Sequence, residues 1–189
     1  MSIIDKQTLA DVTIREACPD DAAALLGFFL RMEEKFDLLY EPGERARDSA
    51  PVRHQLGEFS ERTNCLFIVA LKASEIVGFL SIEGGRQRRR ERAGYLIMSV
   101  REDCHGQGIG RALLQSASEW AVRTGMIRVE LVVLDSNPRA RHLYEKMGFI
   151  AEGHLRDYLV IRDQPSDAVL MAKYFRSAAA QTTDSSHGN

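Results

Sequence analysis

Three glycines at alternate positions, Gly106, Gly108 and Gly110, separate an apolar run at Ala93–Val100 from an amphipathic pattern over residues 109–124. This arrangement predicts a strand that empties through a tight turn into the first turn of a helix. Ile109, Leu113, Ala117, Trp120 and Ala121 would share one face of that helix. Its first backbone N–H groups have no partner within the helix, and they point, with the positive end of the helix dipole, at one spot. Such a spot holds an anion, a phosphate above all. A plain tight turn before a helix would carry the same pattern.

Spacing narrows the choice of phosphate. A nucleotide P-loop needs Lys-Ser/Thr after its last glycine, and here Gly110 is followed by Arg111 and Ala112. The dinucleotide fingerprint would need a third glycine at position 111, which is arginine. Alternating glycines instead describe a turn that exposes successive N–H groups, an anion-binding nest.

The rest of the chain reads as an α/β arrangement with a mixed sheet. Residues 12–17 alternate as a first strand, and Pro19-Asp20-Asp21 starts a helix over 22–31. A second helix lies within 51–62, where Val52, Leu56 and Phe59 share a face. The runs 65–71 and 76–83 form a hairpin, and Ala93–Val100 is the third member of the meander. Residues 127–134 form another strand. Asn137 then caps a helix with Pro138 at its first position and Gly148 as its stop. Two last strands, 149–161 and 168–174, flank a turn at 162–167, and the polar stretch 176–189 is expected to be disordered. The expectation is one domain over residues 1–175, a size at which a single core is usual.

Composition excludes several functions. A net charge of −2 argues against broad nucleic-acid binding. No apolar run reaches the ~20 residues that span a bilayer, and the N-terminal stretch lacks a signal-peptide core. Cys18, Cys65 and Cys104 show neither disulfide framework nor metal spacing, so a cytoplasmic location and no metal are expected. The run Arg86-Gln87-Arg88-Arg89-Arg90-Glu91-Arg92 has no interleaved aromatics and reads as a solvated connection rather than a nucleic-acid surface. Cys104 lies where a helix dipole favours a thiolate, but it reads as an incidental small residue.

Two segments together carry a resemblance. Residues 100–114, with His105-Gly106-Gln107-Gly108-Ile109-Gly110-Arg111, and residues 137–149, with Asn137, Ala140, Leu143, Tyr144, Gly148 and Phe149, resemble the GNAT acetyltransferase superfamily. The first is similar to its Arg/Gln-x-x-Gly-x-Gly/Ala pyrophosphate loop, the second to its Asn-x-x-Ala-x-x-Leu-Tyr-x-x-x-Gly-Phe segment. The likeness runs from about Ile76 to Tyr174.

The resemblance implies a central mixed, mostly antiparallel sheet of about seven strands flanked by about four helices. It implies an acetyl-CoA cosubstrate in a cleft where Ala93–Val100 and the strand at 127–134 splay apart. Met98, Ser99 and Val100 would bind the pantetheine arm, His105 to Arg111 the pyrophosphate, and Asn137, Ala140 and Tyr144 the thiol end. His105 departs from the family's usual Arg or Gln, which would make cofactor affinity pH-sensitive near an imidazole's ordinary pKa of ~6.5.

Acetyl transfer to an amine needs a proton donor for the leaving thiolate, and the phenol of Tyr144 would serve, although Tyr144 also fits a packed helix face. A backbone N–H at Met98 or Ser99 would polarise the thioester carbonyl. The base is open between Glu83, Glu130 and water. Phe36, Tyr40, Arg156, Asp157 and Tyr158 are candidates for the acceptor pocket, against ordinary packing or exposure. The expected activity is acetyl transfer to a primary amine, a small molecule before a protein N-terminus or lysine. A non-catalytic acyl-CoA-binding module is the rival. No nucleic-acid or membrane partner is expected, and homodimers are common in the family.

Overall fold

The computed structural model describes residues 7–9, 11–34 and 40–175. The expected tail, and Phe36, Leu38 and Leu39, lie outside the described residues. The described strands are β1 (Gln7–Leu9), β2 (Val12–Glu16), β3 (Cys65–Lys72), β4 (Glu75–Gly84), β5 (Ala93–Val100), β6 (Arg128–Leu134), β7 (Ile150–Ile161) and β8 (Gln164–Tyr174). The α-helices are α1 (Ala22–Glu33), α2 (Ala50–Glu61), α3 (Ile109–Arg123) and α4 (Pro138–Lys146).

All eight strands join one sheet in the order β1-β2-β3-β4-β5-β6-β8-β7. Every neighbouring pair is antiparallel except β5 and β6, which run parallel. The extra strand beyond the seven expected is β1, whose three residues are too few to show a period.

The sheet buries both faces. On one, α3 and α4 cover a cluster built from Leu66, Ile68, Leu80, Leu113, Trp120 and Val129. On the other, α1 and α2 cover Leu25, Phe28, Leu56, Phe59, Phe67 and Phe79. β3 supplies Leu66, Ile68 and Ala70 to the first and Cys65, Phe67 and Val69 to the second, which explains its unbroken apolar run. Phe79 stacks on Phe67 and meets Phe28 and Phe29 edge-on, tying α1 to the middle of the sheet.

The last hairpin is tighter than the expected turn at 162–167. It turns on Arg162 and Asp163 alone, both in the left-handed region (φ 51 and 60), and the strand resumes at Gln164. Pro165 lies inside β8 opposite Val160. It is tolerated because β6 pairs with β8 only as far as Ala168, so this end of β8 has a neighbour on one side and needs no second N–H.

Candidate active site

β5 and β6 are paired over only three residues, Ala93 with Arg128, Gly94 with Val129 and Tyr95 with Glu130. Beyond Tyr95 they part. β5 stays bonded to β4 as far as Val100, opposite Gly78, while β6 stays bonded to β8 as far as Leu134. The edge of β5 from Leu96 to Val100 therefore lacks a strand partner on the β6 side, and a cleft opens with Met98, Ser99 and Val100 on its wall.

The glycine turn sits at the mouth of that cleft. Gly106 and Gly108 have φ of 78 and 82, a conformation an L-residue adopts only with strain, and Gly108 is the N-cap of α3. The N–H groups at the start of this 15-residue helix have no acceptor within it and no side-chain cap from Gly108, the arrangement that suits an anion. Gly110 serves a different purpose: a Cβ there would lie 3.1 Å from Leu143 and 3.7 Å from Met98, so α3, α4 and β5 converge at this point. The His105 ring is anchored, with Nε2 donating to the Val100 carbonyl at 2.8 Å. Gln107 donates to the Asp103 carbonyl and accepts from Lys72. One cation missed by sequence reasoning reaches the turn: an Arg139 guanidinium nitrogen lies 4.0 Å from where a Gly106 Cβ would stand. Its only signal was its place two residues after Asn137.

α4 forms the other wall. Asn137 caps it by accepting the Ala140 N–H at 3.0 Å, with Pro138 in the first turn. Tyr144 is 7% exposed and tilts against Phe149. Burial, with Tyr95 adding to it, pushes the Tyr144 phenol up to about 12. The Tyr95 phenol is also pushed up to about 12, by burial first and then by Tyr158. Three tyrosines from β5, α4 and β7 thus gather where the cleft begins, Tyr158 beside the β7 bulge at Asp157.

The two carboxylates considered as bases both carry arginines. Glu83 is 3.2 Å from Arg62 and 3.8 Å from Arg86, and Glu130 is 3.3 Å from Arg90 and 2.9 Å from Arg128. They differ in what they face. Glu83 lines a cavity of about 320 Å³ with Gln55, Phe59, Ser81, Tyr95 and Ile97, on the α2 side of the sheet beside the splay. Glu130 belongs to an ion-pair network with Arg128 and Glu152. Tyr40 stacks on Arg45 near α1, whereas Arg156 and Asp157 are exposed on β7. Glu33, unremarked in the sequence, is buried in α1: one carboxylate oxygen takes Arg45 at 2.6 Å and the other has no partner among the described residues. Asp135, His154 and Asp167 come together at the end of β6, with His154 Nε2 2.9 Å from Asp135.

The network yields a stability prediction. Hydrogen bonds from Arg128 and Tyr174 hold Glu152 down at about 2 against its ordinary 4.5. A depressed carboxylate stabilises the fold fully above its unfolded pKa and loses that contribution as pH falls through the folded one. Glu152→Gln should therefore lower the thermal midpoint at pH ~7, and the gap to wild type should close between about pH 4.5 and 2. A gap independent of pH would contradict it.

Residues 31–149, well over half of the chain, match the Acetyltransferase (GNAT) family. The chain belongs to that family. A GNAT-family acetyltransferase of Streptococcus pneumoniae superposes with a TM-score of 0.83 at 29% identity, covering 87% of this chain and 99% of that one. A Sinorhizobium meliloti phosphinothricin acetyltransferase, solved in complex with acetyl-CoA, shares the fold at 17% identity and a TM-score of 0.77, over 87% and 88% of the two chains. Mycothiol acetyltransferase of Propionibacterium freudenreichii is 26% identical over 59% of this chain and 36% of its own length. This chain spans about half or less of the length of the first curated relatives it matches.

Proposed function

We propose that the protein transfers an acetyl group from acetyl-CoA directly to a primary amine. The observation that carries this reading is the splay of β5 from β6 opening between the Gly106–Gly108 turn and buried Tyr144. The residues suit acetyl-CoA. The turn and Arg139 would meet the pyrophosphate, the free edge of β5 at Met98, Ser99 and Val100 the pantetheine arm, and Asn137, Ala140 and Tyr144 the thiol end. When bound, acetyl-CoA supplies an activated acyl group and a thiolate leaving group.

The chain's own groups do the rest. A backbone N–H at Met98 or Ser99 polarises the carbonyl and stabilises the oxyanion. Tyr144, held near 12, is a weaker acid than an ordinary thiol at ~8.5. It therefore acts as a fixed hydrogen-bond donor to charge growing on sulfur, rather than completing an uphill proton transfer. Glu83, facing the cavity beside Tyr95 and Ile97, takes the ammonium proton directly or through water. The cavity of about 320 Å³ suits a small amine or the amine end of a longer acceptor. A panel of primary amines with acetyl-CoA should give amine-dependent release of CoA thiol. Firm acetyl-CoA binding without release for any amine would instead support a non-catalytic acyl-CoA module.

A further inference from the structure

The narrow end of the splay is occupied by a side chain with no part in the transfer itself. Tyr95 is the last β5 residue paired with β6, opposite Glu130, and the strands part immediately beyond it. On its other side Tyr95 pairs with Glu83, and Ile97 pairs with Ser81. All four line the cavity of about 320 Å³, so Tyr95 and Ile97 share the face of the sheet that carries α1 and α2. The apolar cluster beneath those helices takes residues from β3 and β4 but none from β5 or β6. Tyr95 is accordingly 37% exposed and Ile97 50%. Both stand open beside the splay rather than in the core.

The Tyr95 hydroxyl is fixed while its ring stays open. Its oxygen accepts the backbone N–H of Val132, two residues past the point where β6 leaves β5, and it shares a hydrogen bond with Tyr158. β7 lies three strands from β5, roughly 14 Å at ~4.8 Å per strand, so the two phenols meet over β6 and β8. The β7 bulge aims Tyr158 there. Asp157, at φ 50, gives its N–H to the Asp167 carboxylate at 2.9 Å, and β7 slips register against β8 between Leu155 and Leu159. On the α4 side stands Tyr144, whose phenol is raised by burial and then by Tyr95. The vertex of the splay therefore lies between two tyrosines, and Tyr95 spans it.

Resting on the acyl-CoA reading of the cleft, we propose that the Tyr95 ring is the end wall of the acyl pocket and limits the donor to a short acyl chain. A cofactor whose pyrophosphate lies at the Gly106–Gly108 turn enters the wide end of the splay, beyond Val100. Its arm then runs back along the free edge of β5, roughly 13 Å from Val100 to Leu96 at ~3.3 Å per residue. Acyl carbons beyond the thioester point at the vertex and meet the Tyr95 ring, which its hydroxyl contacts hold across the gap. A longer chain has to displace that ring.

The test varies the donor rather than the acceptor. Acetyl-, propionyl-, butyryl- and hexanoyl-CoA are compared on the full chain, by thiol release with the most active amine and by calorimetry without amine. Each ratio is taken within one preparation, so a partly folded variant does not distort it. Wild type should favour acetyl- over butyryl-CoA by roughly tenfold or more in kcat/KM, one methylene in an apolar pocket being worth about 10- to 200-fold. Tyr95→Ala should bring that ratio to about one or below. Tyr95→Val, which keeps a strand-favouring residue, should lower it part of the way. Tyr95→Phe keeps the ring and should keep most of the preference. A wild type indifferent to chain length, or a preference unchanged in Tyr95→Ala, overturns the inference and leaves the acetyltransferase reading standing. A loss in Tyr95→Phe as large as that in Tyr95→Ala overturns it too, because the hydroxyl rather than the ring would then set the limit. Should no amine be turned over, the acetyltransferase reading falls, and the binding ratios decide the end wall by the same comparisons.

Discussion

Replacing Tyr144 with phenylalanine is expected to lower kcat by roughly 10- to 150-fold, the rate equivalent of one hydrogen bond to a charged group at ~1.5–3 kcal/mol. The dissociation constant for acetyl-CoA should be nearly unchanged, because the ring that tilts against Phe149 is kept and only a hydroxyl is lost. The pH dependence carries equal weight. With its phenol near 12, Tyr144 keeps its proton through the whole neutral and mildly alkaline range and gives it up only as pH rises toward that value. No alkaline fall in kcat below about pH 11 should therefore belong to Tyr144. A fall near pH ~9–10 in wild type that vanishes in Tyr144→Phe would contradict the buried-donor picture, and an unchanged kcat would remove Tyr144 from the chemistry.

Gly108→Val should raise the acetyl-CoA dissociation constant by roughly 10- to 150-fold, the loss expected when one charge-assisted N–H contact is spoiled. The obstacle is the backbone rather than space. A Cβ would meet Leu9 at an ordinary 3.4 Å, but a φ of 82 is one that a β-branched residue rarely adopts. The turn would relax and re-aim the first N–H groups of α3, while the helix itself stays anchored by Trp120, which is fully buried. Gly57→Ala is the control. It lies in α2 with open space around its Cβ direction, so it should leave the dissociation constant where it was. Calorimetry on both variants, with near-ultraviolet circular dichroism to confirm the fold, checks this; equal constants for wild type and Gly108→Val would mean the turn does not hold the ligand.

The difference between these two sites also marks what could be read in the sequence. The turn was legible because glycine spacing, an apolar run and a helical period all fall within about thirty consecutive residues. The Asn137 cap and the Gly148 stop were legible for the same local reason. The cleft was not, except through family resemblance. It exists because β5 remains with β4 while β6 is drawn to β8, and that divergence depends on a strand more than thirty residues further along. The environment of the candidate bases was equally hidden. Glu83 meets Arg62 from 21 residues away and Glu130 meets Arg90 from 40, separations at which spacing carries no signal. Glu33 read as an ordinary polar residue at a helix end because its burial under Arg45 depends on the segment that follows α1. The arginine run was visible as charge, but only the fold shows that Arg86 and Arg92 line cavities while Arg88 and Arg89 do not.

Direct transfer within one cleft is most openly exposed to a single measurement: intact-protein mass and product stoichiometry, followed together with acetyl-CoA and an amine that the panel finds active. The geometry of the splayed strands, with Tyr144 at their junction and no nucleophile required, predicts one N-acetylated product per CoA thiol released and a protein mass unchanged throughout. An acetylated protein that forms without the amine and then passes its acetyl group on, for instance from Cys104, would contradict it.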